Sequence, residues 1–356
     1  MAERAGVHPG TASRALDPAL PGRVTGQTKE KVERAARELG YTPDPAARSL
    51  RTRRSGSVGV VVPDLTNPVI PPIIRGIEEV LWSAGLACLL ADTDNDVERE
   101  AAAIAELRAR RCEGLIIATA TRDSPTVAAL NGADPPAVLV TRDIDAGSLP
   151  FVAADDAAGV RRAVGHLAEL GHRHIAHVTG PPSLSTTMIR SRAFHDAMVE
   201  QQGAGAPAPV LHAEAFTIPA GRRAAEELLR ARDGATAIVA GNDMIALGCY
   251  AALAAAGLRC PEDMSIVGHN DMPLVDSVQP PLTTVAIPQR RIGTEAARLL
   301  LERLGGDAAP APRVLLGTEL IVRASTRRPK GPGGRPSAAQ DGGEAVDSRT
   351  TSSGSS

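Results

Sequence analysis

Aromatic residues are scarce in this chain of 356 residues, in which three Phe, two Tyr and one Trp make up 2% of the sequence. A binding site built from this chain therefore has few flat side chains on which a ligand could stack. Cysteine is also rare, and the four that occur lack the short spacing of a metal site. We expect reduced thiols, and neither metal nor cofactor, at these positions, which are Cys88, Cys112, Cys249 and Cys260.

Long apolar runs are missing too. No window of twenty residues is apolar throughout, so no membrane span is expected. The first residues include Glu3 and Arg4 and no apolar segment, which argues against a secretory signal and favours a cytoplasmic protein.

Signatures of enzymes are lacking as well, so we expect a protein that is not an enzyme. The apolar run 58–62 is followed by Pro-Asp-Leu and not by a phosphate-binding glycine loop. Neither a nucleophile elbow nor a metal-ligand cluster occurs. Four histidines lie close together, but alternation along a strand would split them between two faces; they are interpreted as structural or surface residues: His166, His172, His174 and His177.

What the chain does contain, after residue 57, is a regular alternation of short apolar runs and amphipathic helices. This alternation predicts parallel sheets covered by helices, and the number of strands requires two sheets. The expected strands are 58–62, 86–91, 114–118, 137–140, 174–179, 210–213, 236–240 and 264–268, and the expected helices include 70–84, 97–111, 157–171, 187–202, 220–232 and 244–257.

The first fifty residues follow a different pattern. Residues 1–14 are typical of the end of one helix, a turn at Gly6 and a second helix that starts at Pro9. Such a helix-turn-helix places a short helix in the major groove of DNA. Residues 1–57 carry eleven Lys and Arg against six Asp and Glu, a net charge of +5, whereas the remainder carries −7. A basic head on an acidic body is typical of a DNA-binding module attached to a second domain.

Two more features belong to this head. Thr25 can cap a helix that ends at Gly40 and closes a small core through Val32, Ala35, Ala36 and Leu39. Asp44 and Pro45 then open a short basic helix, 44–50, tipped by Leu50. A basic helix with one apolar tip suits a minor groove that can be wedged open.

Five segments identify a family resemblance. In order along the chain they are AGVHPGTASRAL, ELGYTPDPAARSLR, VGVVVPDLTNP, AGNDMIALG and VGHNDMPLVDSVQPPLTTV. With them the chain resembles the LacI/GalR family of bacterial transcriptional regulators over about residues 1–326. Ordered motifs of this length are far more specific than a lone glycine signature.

The resemblance implies a small all-α helix-turn-helix head joined to an α/β two-lobed core like a periplasmic binding protein, with parallel sheets and three crossovers. The head would span 1–50 with its hinge helix at 44–50, and 51–57 would be a flexible linker. The core would span 58–326, with lobe one at 58–155 and 287–317 and lobe two at 156–286 and 318–325. Residues 327–356, rich in Gly, Ser and Pro, are expected to form a disordered tail.

The resemblance also places DNA contacts in the head. Arg14 lies where the family's recognition helix carries an arginine, and Leu50 where the family inserts a minor-groove wedge. Pro9 and Gly10 occupy positions that usually read bases, although neither side chain can form a hydrogen bond. His8 replaces a small hydroxyl residue, so a weaker helix cap is expected. The candidate DNA contacts are His8, Pro9, Gly10, Thr11, Ser13, Arg14, Ala47, Arg48 and Leu50.

A ligand site is implied between the two lobes. Arg190 aligns with the arginine that holds effectors in the family, and Arg192 is the competing assignment. Asn242 and Asn270 align with two polar effector contacts, the second of which is usually an aspartate. The candidate effector contacts are Asn67, Val69, Thr141, Arg190, Phe216, Asn242 and Asn270. Because aromatic platforms are so few, a sugar is the better hypothesis than a purine.

The implied function is that of a homodimeric repressor that binds a pseudo-palindromic double-stranded operator under control of a small-molecule effector. The alternative is a cytoplasmic sugar-binding protein with a crippled DNA-binding head. Family members generally begin several residues earlier, with one more turn on the first helix. Either in-frame codons upstream of Met1 supply this turn, or the head is weakened by its loss; we expect the first.

Overall fold

The structure, a computed structural model, describes residues 1–16, 22–41, 55–203, 205, 207–306 and 311–330. In the head it contains α1 (Pro9–Ala15) and α2 (Gly26–Glu38). Residues 2–6 form turns, and Gly6 adopts a φ of 64°. Ala12 and Ala15 of α1 and Val32 of α2 form the centre of a small apolar core, against which Val7 and Leu16 pack. The predicted hinge helix 44–50 lies outside the described residues.

The core alternates strands and helices along the chain. Its strands are β1 (Ser57–Val62), β2 (Ala87–Asp92), β3 (Gly114–Ile117), β4 (Ala137–Val140), β5 (Phe151–Ala154), β6 (Ile175–Thr179), β7 (Val210–His212), β8 (Ala237–Ala240), β9 (Ser265–Asn270), β10 (Thr283–Ala286), β11 (Arg313–Leu316) and β12 (Glu319–Ile321). Its helices are α3 (Ile70–Ser83), α4 (Val97–Ala109), α5 (Pro125–Ala128), α6 (Asp156–Glu169), α7 (Ser185–Gln202), α8 (Ile218–Ala231), α9 (Asp243–Ala255) and α10 (Gln289–Leu304).

These strands build two six-stranded sheets. The first has the order β11-β5-β4-β3-β1-β2 and the second the order β12-β10-β9-β8-β6-β7. All neighbouring strands run parallel except β12, which is antiparallel to β10. We call the first sheet with its helices the first lobe and the second sheet with its helices the second lobe. The predicted fold class, two lobes of parallel sheets covered by helices, is confirmed.

The chain crosses between the sheets three times, at residue 155, at 287–288 and at 317–318. The first and third crossings are bonded to each other, because the Asp155 amide donates to the Leu316 carbonyl at 2.7 Å and the Thr318 hydroxyl donates to the Asp155 carbonyl at 3.3 Å. The lobes also meet at a second edge. There the Arg122 amide donates to the Ser183 carbonyl at 2.9 Å and the Asp143 amide to the Ser185 hydroxyl at 2.8 Å.

Glycines allow one helix pair in each lobe to pack backbone against backbone. A Cβ at Gly293 of α10 would lie 2.0 Å from the Ile73 carbonyl oxygen of α3, and one at Gly76 of α3 would lie 2.0 Å from the Arg290 carbonyl oxygen. In the second lobe, a Cβ at Gly248 of α9 would lie 2.5 Å from the Ile218 carbonyl oxygen of α8. Any side chain at these positions would push the paired helices apart.

Three expectations need correction. Residues 55–57 are not part of a flexible linker, because Ser57 begins β1 and the Gly56 amide donates to Glu113 at 2.9 Å. Residues 327–330 are not a disordered tail, because the Arg327 amide donates to the Ser265 hydroxyl at 3.1 Å and fixes this segment to the second lobe. Leu39 does not join the core of the head, since it is 54% exposed. Residues 51–54 and 331–356 lie outside the described part of the chain.

Within the described ranges, no helix is both long enough and apolar enough to cross a membrane.

Candidate functional site

The carboxyl ends of the parallel strands of both sheets border one cleft between the lobes. In open parallel sheets this edge is where ligands bind, because side chains in the loops after the strands converge there. The first lobe contributes residues that follow β1, β2, β3 and β4, and the second lobe residues that follow β6, β7 and β8 together with the last residue of β9. The cleft has two connected compartments.

The inner compartment is a small, open cavity of about 70 Å³. It collects all seven residues that the sequence pointed to as effector contacts, together with Pro63, Ile70, Arg142, Thr186 and Ile287. The seven are Asn67, Val69, Thr141, Arg190, Phe216, Asn242 and Asn270. They come from positions as far apart in sequence as 67 and 270, so their convergence is a property of the fold and not of local sequence.

Arg190 lies on α7 and is buried at the wall of this compartment. Its Nη2 donates to Asp156 Oδ1 at 3.0 Å, and its Nη1 donates to the Gly241 carbonyl. The neighbouring Arg192, the competing assignment, has a side chain that is 87% exposed and pairs with Asp196 on the protein surface. Arg190 alone of the two faces the cleft.

Asp156 is the counter-ion of Arg190 and a partner of a third buried residue. It is the first residue of α6, directly after the first crossing, and its Oδ1 also lies 3.0 Å from His269 Nε2. Burial would raise the pKa of Asp156, but Arg190 and His269 outweigh burial and hold the pKa at about 2. Burial lowers the pKa of His269, so His269 is neutral at pH 7.

The side-chain oxygens of two asparagines accept hydrogen bonds from backbone amides, which leaves their side-chain NH₂ groups free. Asn242 caps α9 by accepting the Ile245 amide at 2.8 Å, and Asn67 accepts the Val69 amide at 3.2 Å. Their side-chain NH₂ groups form no hydrogen bond to the described residues. Each can therefore donate to a ligand oxygen.

Backbone conformations at the rim of the cleft are unusual. Thr141 follows β4 with a φ of 62°, and Asn270 ends β9 with a φ of 118°. Asp94 and Asn95, after β2, have φ values of 53° and 56°. Residues other than glycine rarely adopt positive φ, and where they do the surrounding structure enforces it, most often at functional sites.

The outer compartment is an open pocket of about 240 Å³ and shares Pro63, Asn67, Arg142 and Phe216 with the inner one. Two of its residues, Glu100 and Arg142, were not predicted as site residues from the sequence. Arg142 follows Thr141 at the end of β4, so the strand-end rule would have found it. Glu100 gave no such signal because it lies inside α4, where a carboxylate is normally solvated.

Glu100 is buried and accepts hydrogen bonds from the hydroxyls of Thr119 and Ser124, the latter at 3.0 Å. The half-buried Arg142 donates to Asn95 Oδ1 at 3.1 Å and to the Thr119 carbonyl at 3.4 Å. Burial lowers the pKa of Arg142 to about 10, against the opposing effect of Glu100. Arg142 therefore stays protonated and faces the cleft as a donor.

In the head, α1 exposes one face and buries the other. His8, Pro9, Ser13 and Arg14 are exposed and Gly10 and Thr11 are half-buried. His8 caps the helix, since its Nδ1 accepts the Gly10 amide at 3.1 Å; that this cap is weaker than one from a hydroxyl residue stays a prediction. Arg14 folds back to donate to the Gly10 carbonyl at 3.0 Å. The remaining candidate DNA contacts, Ala47, Arg48 and Leu50, lie outside the described residues.

The clustered histidines take structural positions. His172 bonds to Thr236 and to the Arg327 carbonyl, both at 2.8 Å, and buried His177 stacks on Phe194 with ring centroids 5.0 Å apart. Burial lowers the pKa of His177 to about 4. No group of three or more His, Cys, Asp or Glu residues in the described part of the chain is arranged to hold a metal ion.

Comparisons with known proteins agree with both parts of this architecture. Residues 1–44 match the model of bacterial regulatory proteins of the lacI family, and residues 164–326 match a periplasmic binding protein-like domain. The chain is 31% identical to the ribose operon repressor of Halalkalibacterium halodurans, covering 92% of this chain and 96% of that protein. It is 32% identical to the transcriptional repressor CytR of Escherichia coli, covering 92% and 95%.

Solved structures give the same result. The Lac repressor dimer bound to operator and the anti-inducer ONPF superposes with a TM-score of 0.81 and 28% identity, over 92% of this chain and 97% of that one. The complex of the regulator CelR with cellobiose superposes with a TM-score of 0.68 and 30% identity, over 91% and 98%.

Proposed function

The chain belongs to the LacI family of bacterial regulatory proteins, and from this premise we propose that it is a homodimeric transcriptional repressor whose operator affinity is set by a sugar. The sugar binds in the inner compartment between the lobes. The heads bind the two halves of a pseudo-palindromic operator in the cytoplasm. In this proposal the protein is not an enzyme, since the relatives named above are transcriptional repressors or regulators.

One observation carries the proposal: seven residues predicted as effector contacts line a single cavity between the lobes. The cavity offers amide donors, a buried guanidinium and the ring of Phe216, a combination suited to a polyhydroxylated ligand. The names of the relatives support the ligand class, because they include a ribose operon repressor and a cellobiose complex. The operator-bound Lac repressor dimer supports the DNA partner and the dimer.

The mechanism follows from the three crossings. A ligand that contacts both lobes favours one angle between them, and the head is attached at the start of the first lobe. In a dimer, a change in that angle changes the separation of the two heads, which must match the half-site spacing. For a strong switch the sugar must bind one lobe arrangement more tightly than the other by several kcal/mol.

The first experiment is a thermal-shift screen of the full chain against sugars and polyols, followed by band-shift assays on the DNA upstream of its own gene. The variant Arg190→Ala alone is a poor test, because it leaves Asp156 buried without its counter-ion, at a cost of roughly 3–5 kcal/mol. The double variant Arg190→Met/Asp156→Asn removes both charges at similar volume. We expect it to fold and to lose the response to the sugar.

The matched control is Arg192→Ala, which removes an exposed arginine two residues away. It should respond to the sugar as the wild type does. A double variant that still releases the operator at the original sugar concentration contradicts the assignment of Arg190. If deletion of residues 1–57 leaves affinity for the upstream DNA unchanged, the protein is a sugar-binding protein and not a repressor.

A further inference from the structure

The interface between β6 and α7 in the second lobe is rich in buried polar side chains. Among the described residues, five buried side-chain nitrogen and oxygen atoms have no hydrogen-bond partner, and all five lie on β6 or α7. They are His177 Nε2, Thr179 Oγ1, Thr187 Oγ1, Arg190 Nε and Ser191 Oγ. Buried polar atoms are costly without partners, so a cluster of them in a folded protein calls for a physical explanation.

Strand and helix turn these side chains toward one another. α7 packs against β6, and His177 and Thr179, two residues apart on the strand, point to the same face of the sheet. Thr187 and Ser191, four residues apart, lie on one face of the helix. The ring of His177 stacks on Phe194 of that helix, with centroids 5.0 Å apart, so the two faces meet.

Arg190 reaches the same interface through Gly241. Its Nη1 donates to the Gly241 carbonyl, and a Cβ at Gly241 would lie 2.9 Å from Thr179 Oγ1. Both side chains therefore contact one residue. The Nε of Arg190 is itself buried, so it is not open to a ligand in the cleft.

The hydrogen-bonding roles of these atoms restrict which molecule can bind between them. His177 Nδ1 lies 2.8 Å from the Val239 carbonyl oxygen, and because a carbonyl only accepts, Nδ1 carries the proton. Burial lowers the pKa of His177 to about 4, so the ring is neutral at pH 7 and its Nε2 is an acceptor. Arg190 Nε only donates, whereas the three hydroxyls can donate and accept.

We infer that at least one buried water binds between β6 and α7, where it donates to His177 Nε2 and accepts from Arg190 Nε. The neighbouring hydroxyls complete its hydrogen bonds. An anion cannot donate to His177, and a metal cation cannot accept from Arg190 and is repelled by its charge. Water donates and accepts, and it is small enough to bridge side chains inside a protein.

The water also positions Arg190 for the ligand, an inference that rests on the proposed function. Asp156 and Gly241 hold the two terminal nitrogens of Arg190, and the water holds Nε. The guanidinium thus has a fixed position at the wall of the inner compartment. Thr187 and Ser191 act as positioning residues through the water, since neither of them lines the cleft.

A crystal structure of the full chain that resolves ordered waters tests the site directly. We expect a water within hydrogen-bond distance of both His177 Nε2 and Arg190 Nε. If the crystal structure shows these two atoms bonded to protein groups, or shows no water beside them, the inference is overturned.

Thr187→Val tests the water in solution through the sign of a stability change. The valine keeps the shape of the side chain and replaces the buried hydroxyl by a methyl group. If this hydroxyl bonds to the water, urea unfolding should show a folding equilibrium constant lower by about fivefold. If the hydroxyl has no partner, the valine stabilises the protein and the inference is overturned.

The control for this variant is Thr294→Val on α10. Its hydroxyl donates to the Arg291 carbonyl of the same helix at 2.9 Å and is accessible to solvent. Bulk water can replace this hydrogen bond, so the control should change the folding equilibrium little.

Ser191→Ala tests the link to ligand binding. Calorimetric titration uses ribose, cellobiose and any other sugar that binds in the thermal-shift screen. We expect the affinity to fall by roughly threefold to tenfold, because Arg190 loses part of its support. The control Ser83→Ala, at an exposed serine of α3, should bind these sugars as the wild type does.

The outcomes separate the two proposals. An unchanged sugar affinity in Ser191→Ala overturns the positioning role of the water. If no sugar of the screen binds to the wild type, the sugar assignment of the proposed function fails. The crystal structure and the unfolding of Thr187→Val decide the water site in either case, because neither measurement involves a sugar.

Discussion

At the residue scale, Asn270 is the clearest point at which this chain sets its own ligand preference. Its backbone carbonyl accepts a hydrogen bond from Gln289 at 2.9 Å, while its side chain bonds to no described residue and lines the inner compartment. The family resemblance places an aspartate at this position in most members. An amide can donate to a ligand oxygen as well as accept, whereas an ionised carboxylate only accepts.

Asn270→Asp should therefore change which sugars bind and not only how tightly. Sugars that need a donor at this position should lose about tenfold or more in affinity, and the ranking within a sugar panel should change. Calorimetric titration of both proteins measures this. The control is Asn131→Asp, on an exposed loop outside the cleft, and an unchanged ranking in Asn270→Asp would remove this side chain from the site.

Asp243 is a second residue with a measurable consequence. It is fully buried at the start of α9, accepting the Thr284 hydroxyl at 2.6 Å and the Met272 amide at 2.8 Å. Burial, with a smaller effect of the nearby Asp271, raises its pKa to about 7 against the lowering effect of these two hydrogen bonds. In the unfolded chain the same carboxyl has its ordinary pKa near 3.8. Its stabilising contribution is thus present at low pH and is lost as the pH rises through about 7.

Asp243→Asn should remove this pH dependence, because an asparagine can accept from Met272 and donate to Thr284 without ionising. Between pH 5 and pH 8 the wild type should lose about 2 kcal/mol of stability relative to the variant. Urea unfolding of both proteins at the two pH values measures this change in the free energy of unfolding. The pKa of His177 is lowered to about 4, so its contribution to the stability of the protein is lost as the pH falls. This contribution is the same in both proteins. Parallel pH profiles would show that Asp243 is ionised in the folded state throughout.

At the scale of elements, the helix pairs that pack through glycine control the rigidity of each lobe. Gly293 and Gly76 bring α10 and α3 into backbone contact, although most of the second lobe lies between α3 and α10 in sequence. This contact fastens the returning helix to the first lobe. Because interiors are close-packed, the pair cannot accept even one methyl group without moving.

Gly293→Ala should destabilise the protein by about 2–3 kcal/mol, because the added Cβ would lie 2.0 Å from the Ile73 carbonyl oxygen. Gly165→Ala is the matched control in α6, with no neighbour within 4 Å of the added Cβ. It should stabilise by about 0.5–1 kcal/mol through the better helix propensity of alanine. Denaturant unfolding measures the change in unfolding free energy of both variants. Equal changes in the two variants would mean that the contact between α3 and α10 is loose.

The same scale shows what the sequence could predict. All eight expected strands and six expected helices are present, because their apolar runs or helical periodicity extend over several residues. The strands β5, β10, β11 and β12 were not predicted. Three of them, β10, β11 and β12, begin with a polar residue and contain only two or three apolar residues in a row. In the cleft, residues inside motifs were predicted, whereas Glu100 and Asp156 act through partners distant in sequence, Ser124 and Arg190. Such pairings exist only in the folded chain.

At the scale of the whole molecule, charge divides the protein into two parts with different tasks. The net +5 of residues 1–57 favours phosphate contacts, and the net −7 of the remainder disfavours contacts of the core with phosphates. Operator binding should therefore depend steeply on salt, since each Lys or Arg contact releases counter-ions. Affinity should fall on the order of a thousandfold between roughly 50 and 200 mM salt.

Fluorescence anisotropy with labelled operator at several salt concentrations measures this slope. Leu50→Ala, at a position outside the described residues, should weaken specific binding more than binding to unrelated DNA, because a wedge acts only on bent, specific sites. A flat salt dependence would mean that the basic head does not contact phosphates.

The three crossings also dictate when this protein can fold during its synthesis. The first lobe needs α10 and β11, and the second lobe needs β10 and β12, so neither sheet is complete until residues 313–321 have been made. The head precedes both lobes in the chain and therefore leaves the ribosome before them. While residues 175–313 are being made, the nascent chain therefore consists of a small basic head followed by two unfinished sheets with exposed edges. A ribosome that stalls or terminates before residue 313 releases a chain that could contact DNA but could not respond to a ligand.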